Sequence, residues 1–417
     1  MRGKMIVACA GLAAAVIAGM GMGFDKRAVV VGDAAGAESL GLVAHEWGTF
    51  TTFSGSDGTP RKFWSEYAEA SRDLPRYVWA WGQTGDDTWE AAPISLGMEG
   101  GKRSSQLLAM VRMETPVIYF NTARPATVDV EVRLEAGQMT EFYPPPTTTK
   151  GNKEQKAALW WKGVEIRPGA DERGFPAGSG THYDLARATD AAPVAVHSGG
   201  KEYLEKFLFY RGVADFDPRV RVKALGSGKF EVENRTGAEL PAAVLVEVSG
   251  TDVRMATMRS VGAKGEAALG ETKGKIDAPA EFLRGQLAAA GLTAREAEAM
   301  VNTWRASWFG EGGTRLIYIL PQTEVDRVLP LRITPTPAET RRVFVGRAEV
   351  MTPEDETKLA GMLRTLGTAV VEGHDATKET AEIRRWLGRF ARPAVQRVGT
   401  ASEDALVRAA ARRIGGE

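Results

Sequence analysis

Few side chains in this 417-residue sequence could run acid–base or metal chemistry: it holds four histidines (His45, His182, His197, His374) and one cysteine, Cys9. His182-Tyr183-Asp184 has the H-x-D spacing with which two histidines and one carboxylate hold iron on one face. A third ligand must come from elsewhere, and His197 lies close by in sequence. His45 could instead join His182 and His197 around zinc, which neutral imidazoles suit. These three histidines and Asp184 are the metal candidates, and short motifs of this kind match often by chance. No cofactor follows from them.

The candidates for proton transfer are His45, Glu46 and Glu311. His45-Glu46 opens an aromatic segment, but no second histidine follows at helical spacing. Glu311 sits on the turn Gly310-Glu311-Gly312-Gly313, between a Trp-bearing helix and a strand. Held against Trp308 and near Arg315, its carboxyl could serve as a general acid or base. The plainer reading is a solvated turn. Asp215-Phe216-Asp217 could lend oxygens to a hard cation, but without a Gly-containing loop it reads as a strand end closed by Pro218. The sequence contains no H-E-x-x-H, G-x-S-x-G, P-loop or kinase signature.

Ligand binding has a stronger lead. Ten aromatic residues lie between His45 and Trp89, including Trp47, Trp64, Tyr67, Trp79 and Trp81, whereas aromatics make up 8% of the chain. Trp79-Ala80-Trp81, if extended, places both indoles on one face, as a sugar-stacking platform needs. Trp47, Trp79 and Trp81 are therefore the expected ligand contacts, against the bland reading that aromatics fill cores.

The elements that must position these residues read as a β-rich α+β chain. Val117–Phe120, Val128–Leu134, Leu159–Ile166, Phe207–Tyr210, Val220–Leu225, Phe230–Asn234 and Ala243–Val248 have strand character, several separated by Gly or Asn turns. They suggest a central antiparallel β-sandwich-like domain over 116–262. A mixed helix and strand region follows at 278–350, with helices at Ala280–Ala290 and Ala294–Trp308. Thr293 and Glu296 form a capping box for the second helix. Arg315–Leu320 and Val343–Val350 are strands. Residues 352–417 read as C-terminal helices: one starting at Thr352-Pro353 and stopping at Gly367, then basic ones around Ile383–Arg392 and Ser402–Ile414. The aromatic-rich region occupies 45–115.

The first 24 residues carry Arg2 and Lys4 before an uncharged stretch, residues 5–24. That order fits a signal peptide, or an N-terminal anchor if uncleaved, with 25–44 as linker. Export to the periplasm or cell surface is the resulting expectation. Beyond Cys9 there is no thiol, which excludes disulfides and thiolate chemistry from an exported chain. Lys and Arg total 53, as do Asp and Glu, so no dominant basic field speaks for nucleic acid.

His45–Phe50 (HEWGTF), Met113–Phe120 (METPVIYF), Phe207–Gly212 (FLFYRG) and Thr303–Pro321 (with SWFGEGGTRLIYILP) together resemble a group of exported proteins from large-genome bacteria. The similarity runs from about residue 43 to about residue 353. It implies a bacterial, exported, folded protein and carries over no activity, cofactor or site residue.

The resulting expectation is a non-catalytic envelope protein that binds a cell-wall or surface polysaccharide, or an envelope protein, through the aromatic region. The alternative is an exported hydrolase using a carboxylate or a histidine-bound metal, and a third reading is a structural assembly protein. Convergence of His45, Glu46 and Glu311 in one cleft would favour the hydrolase. An exposed Trp79/Trp81 face would favour the binder, and the assembly protein needs neither.

Overall fold

Strand segments between Val43 and Val350 assemble into one twelve-stranded sheet, many of whose neighbours are far apart in sequence. The computed structural model describes residues 41–66, 73–85, 87–96, 106–152, 154–270 and 274–415. The expected signal segment, most of the 25–44 linker, Tyr67 and the side chain of Trp64 lie outside them.

Ten strands make up most of the sheet: β1 (Val43–Ser54), β2 (Trp79–Gly85), β3 (Thr88–Pro93), β4 (Val111–Asn121), β5 (Gly137–Tyr143), β6 (Leu208–Ala214), β7 (Ala243–Ser249), β8 (Asp252–Met258), β9 (Gly313–Ile319) and β10 (Glu339–Val350). Their order is β3-β2-β5-β6-β4-β1-β10-β9-β7-β8, with Lys150–Gly151 beyond β3 and Pro60–Arg61 beside β1. All these pairs are antiparallel except β1 with β10, which run parallel from Val43↔Glu339 to Ser54↔Val350. The regions expected at 45–115, 116–262 and 278–350 thus share a sheet, and the described residues fall in one compact unit. Local composition does not reveal such long-range pairing.

Successive strand residues face opposite ways. One face, with Ala44, Phe50, Ile118, Tyr210, Leu316 and Phe344, packs on two smaller sheets. The five-stranded one contains Ala126–Arg133 and Ala158–Ile166, and the three-stranded one contains Val220–Gly226 and Lys229–Asn234. A β-rich α+β fold with a layered β centre results.

The other face, with Trp47, Val117, Phe209, Ile317 and Val345, is covered by α1 (Asp277–Ala289) and α2 (Ala294–Phe309). The expected capping box of α2 is present. After β9 comes the short α3 (Gln322–Val328). Then α4 (Pro353–Val371), α5 (Thr377–Leu387), α6 (Ala391–Ala401) and α7 (Ala405–Gly415) gather around Phe53, Phe63, Leu363 and Phe390. Among the described residues no helix is long and apolar enough to cross a membrane.

Two helix boundaries differ from expectation. Gly367 does not stop α4; instead it lets α7 approach, since a Cβ there would lie 2.4 Å from the Leu406 carbonyl oxygen. Gly367→Ala should therefore cost about 1–3 kcal/mol in urea unfolding, the range for a forced overpacking. An unchanged midpoint would mean that the helices do not meet at this glycine. The helix expected around 383–392 is broken at Gly388, whose φ of 51° no regular right-handed helix contains.

Candidate functional site

Between the apolar patch under α2 and the one under α4–α7, the helix-covered face of the large sheet turns polar. Arg211 on β6, Glu114 on β4, Thr49 and Thr51 on β1, Arg347 and Glu349 on β10, and Arg315 on β9 lie there, all buried. Arg112 on β4 joins them, its side chain 11% exposed. The face is set by a bulge: β1 pairs Trp47 with Val117 but Thr49 with Glu114. Thr115 absorbs the extra residue at φ 52°, a strained conformation for a β-branched residue before proline.

The band is tied together by charge. Glu114 accepts from Thr51 Oγ1 at 2.7 Å and Arg389 Nη1 at 2.7 Å, and pairs with Arg112 Nε at 3.2 Å. Burial opposes its ionisation, but Arg389, Arg112 and the Thr51 hydroxyl hold it well below the usual carboxylate range. At one end, Arg211 reaches Asp73 with two bonds of 3.2 Å and His182 Nε2 at 3.1 Å. Burial, reinforced by Arg211, pushes the His182 imidazole down to about 4, so it is neutral at pH 7.

At the other end, Arg315 knits the Gly-rich turn to the sheet. It donates to Glu349 with Nε and Nη2, both at 3.0 Å, and to the backbone oxygens of Trp308, Glu311 and Gly312. Arg347 donates to Glu349 at 3.0 Å, Ser307 Oγ at 2.6 Å and the Glu311 carboxylate at 2.7 Å. Burial works against the Glu349 charge, yet Arg315 and Arg347 keep that carboxyl below its ordinary range. Here the band opens into a cleft of about 460 Å³. Glu311, Arg347 and Glu349 line it together with Asp355 of α4 and Arg385, Trp386 and Arg389 near the end of α5. Phe390 anchors that helix end, stacked on Phe53 with ring centres 5.4 Å apart.

The sequence candidates are scattered. His45 and Glu46, being adjacent on β1, face opposite sides. His45 Nδ1 lies 2.8 Å from Glu296 and locks the start of α2 to the sheet. Glu46 is fully buried on the other face, accepting from Tyr210 Oη and, at 2.6 Å, from Arg342 Nε. Of the three proton-transfer candidates only Glu311 reaches the cleft, so the convergence that would favour a hydrolase is not formed. His182, Asp184 and His197 also separate. Asp184 accepts from the Ser179 and Gly180 amides, and the half-exposed His197 lies 3.2 Å from Glu165. Among the described residues no group of three His, Cys, Asp or Glu is placed to hold a metal ion.

Trp47 and Trp81 are core residues, 0% and 5% exposed. Trp79 is half-buried, edge-on to Tyr203. Trp79-Ala80-Trp81 is extended as expected, but it packs inward and offers no stacking platform.

Sequence reasoning missed Arg112, Glu114, Arg211, Arg347 and Glu349. A signal was present: charged residues inside strands otherwise apolar enough to be buried, as in FLFYRG and METPVIYF. Five polar residues of the four resembling phrases, Thr49, Glu114, Arg211, Glu311 and Arg315, lie on this one band, whereas His45 and Glu46 do not.

No family model and no curated protein sequence matches the chain. Among solved structures it is similar to the yeast delta-COP-I mu-homology domain, free and complexed with a Dsl1 WxWxV peptide. Each shows 8% identity and a TM-score of 0.26 and covers 74% of this chain, with 97% of the free and 98% of the complexed domain covered. A superposition that loose says nothing of what this chain binds.

Proposed function

We propose that this protein is a non-catalytic binding protein of the bacterial envelope, and that it holds a saccharide in the cleft beside α5. The observation that carries the reading is the make-up of the cleft wall. The half-buried indole of Trp386 shares it with Arg385, which makes no ion pair among the described residues, and with the half-exposed Glu311 fixed by Arg347. The Lys358 ammonium sits over the Trp386 ring, 4.0 Å from its centre. Sugar rings pack against flat aromatic surface, while carboxylates and guanidinium groups bond their hydroxyls. The volume falls within the range of small-molecule sites. A cell-wall or surface polysaccharide is the partner that this wall fits. The envelope setting rests on the basic start and apolar run of residues 2–24 and on the absence of cysteine after Cys9.

The cleft carboxylates speak against a hydrolase. A glycosidase needs one carboxylic acid kept protonated beside one carboxylate. Glu349 is held ionised by two arginines. Burial does push Asp355 up, but its side chain accepts the Thr352 amide at 3.1 Å in the capping box of α4. Its position serves the helix.

Calorimetric titration with chitotriose, cellotriose and trigalacturonate tests the proposal. At least one should bind saturably, with affinity falling about tenfold or more in Trp386→Ala, on the order of 1.4 kcal/mol. No binding by any of them, or binding indifferent to Trp386, would overturn it.

A further inference from the structure

We infer that the ligand is an anionic polysaccharide whose chain leaves the cleft, crosses α5 and continues in a second groove; this rests on the cleft reading above. The groove, about 370 Å³, lies between α5 and α7 and is lined by Thr377, Thr380, Arg384, Arg413 and Ile414, with two alanines. Among the described residues no carboxylate lines it. Arg384 and Arg413 are both exposed, and neither side chain makes an ion pair or hydrogen bond among the described residues. Arg413 acts on neighbouring Asp375 only through space, and that carboxylate is already bonded to the Thr377 amide and hydroxyl.

The two pockets are two sides of one helix. Arg384 and Arg385 are consecutive, so about 100° of helical turn separates them, and one lines the groove while the other lines the cleft. A helix is only about 10 Å across, a span a short oligosaccharide can bridge. Arg385 on the cleft side and Arg384 and Arg413 in the groove, none of them ion-paired among the described residues, ask for a ligand with repeated negative charge. The cleft's Arg347 and Arg389, by contrast, are already paired with Glu311, Glu349 and Glu114. The charge distribution agrees. Residues 376–417 carry nine Lys and Arg against five Asp and Glu, leaving 44 and 48 in the rest of a neutral chain. Concave sites suit a linear polymer better than a flat bilayer, which cannot enter them.

Oligogalacturonates of three and twelve units, titrated at fixed salt, test this on the full chain. The twelve-unit chain should bind about tenfold or more tighter, since its second contact is made at high effective concentration. Arg384→Ala/Arg413→Ala should remove that gain and leave the trimer unchanged, and methyl-esterified twelve-unit chains should show no gain. Equal affinities for both lengths, or a gain that survives in the double variant, would overturn the two-site path while leaving the cleft standing. Loss of trimer binding in Trp386→Ala separately checks the cleft itself. Binding of phosphatidylglycerol vesicles without any length effect would overturn the inference in favour of a membrane surface.

Discussion

Glu349→Ala is expected to cost about 3–5 kcal/mol in urea unfolding, the largest loss of any single substitution in the polar band. The figure is that for breaking a buried ion pair by removing one partner. Glu349 is the shared counter-charge of Arg315 and Arg347, both at most 1% exposed. Truncation leaves two almost fully buried guanidinium groups without their shared carboxylate, with Arg347 relying on the half-exposed Glu311. Swapping the whole cluster for apolar residues would be far milder, because no charge would be stranded. A Glu349→Ala loss under about 1 kcal/mol would show that water enters and solvates the arginines.

Acid should weaken the fold through His182 before it reaches the carboxylates. In the unfolded chain this imidazole takes a proton below about 6.5, whereas in the fold it does so only near 4. Across that window the unfolded state binds more protons, so stability falls as pH falls. The accumulated loss approaches about 3 kcal/mol, at 1.36 kcal/mol for each pH unit of difference. Asp73, Glu114 and Glu349 have lowered values, so the stability they contribute is lost only further down, below their ordinary 3.8 and 4.5. His182→Gln can still accept from Arg211 and has no proton to gain. It should flatten the stability profile between pH 6.5 and 4. Parallel profiles for the two proteins would mean that His182 titrates as it would in water.

Local signals in the sequence carried the elements well. Alternation at Val128–Leu134 and the apolar run at Ala243–Val248 found strands ending within one residue of the observed ones, and Thr293 and Thr352 marked two helix starts. What failed was nonlocal. Gly367 has the composition of a helix stop, and only the approach of Leu406 explains it. Trp79 and Trp81 have platform spacing, but spacing does not say what covers a strand. The polar band was illegible because its separate strands and helices are joined through pairings such as Glu114 with Arg389, 275 residues apart. Glu311 was found because its turn is local, while Arg347, which fixes it, lies 36 residues away.

The central claim is that the cleft beside α5, and not the aromatic N-terminal region, is where this protein meets its ligand. Amide hydrogen exchange with and without saturating trigalacturonate, or whichever trisaccharide binds, tests it most directly. Slowed exchange is expected in the peptides spanning Gly312–Thr314 and Arg385–Phe390, with Trp79–Trp81 unchanged. Protection at Trp79–Trp81 with none at the cleft would contradict the claim and return the site to the aromatic region.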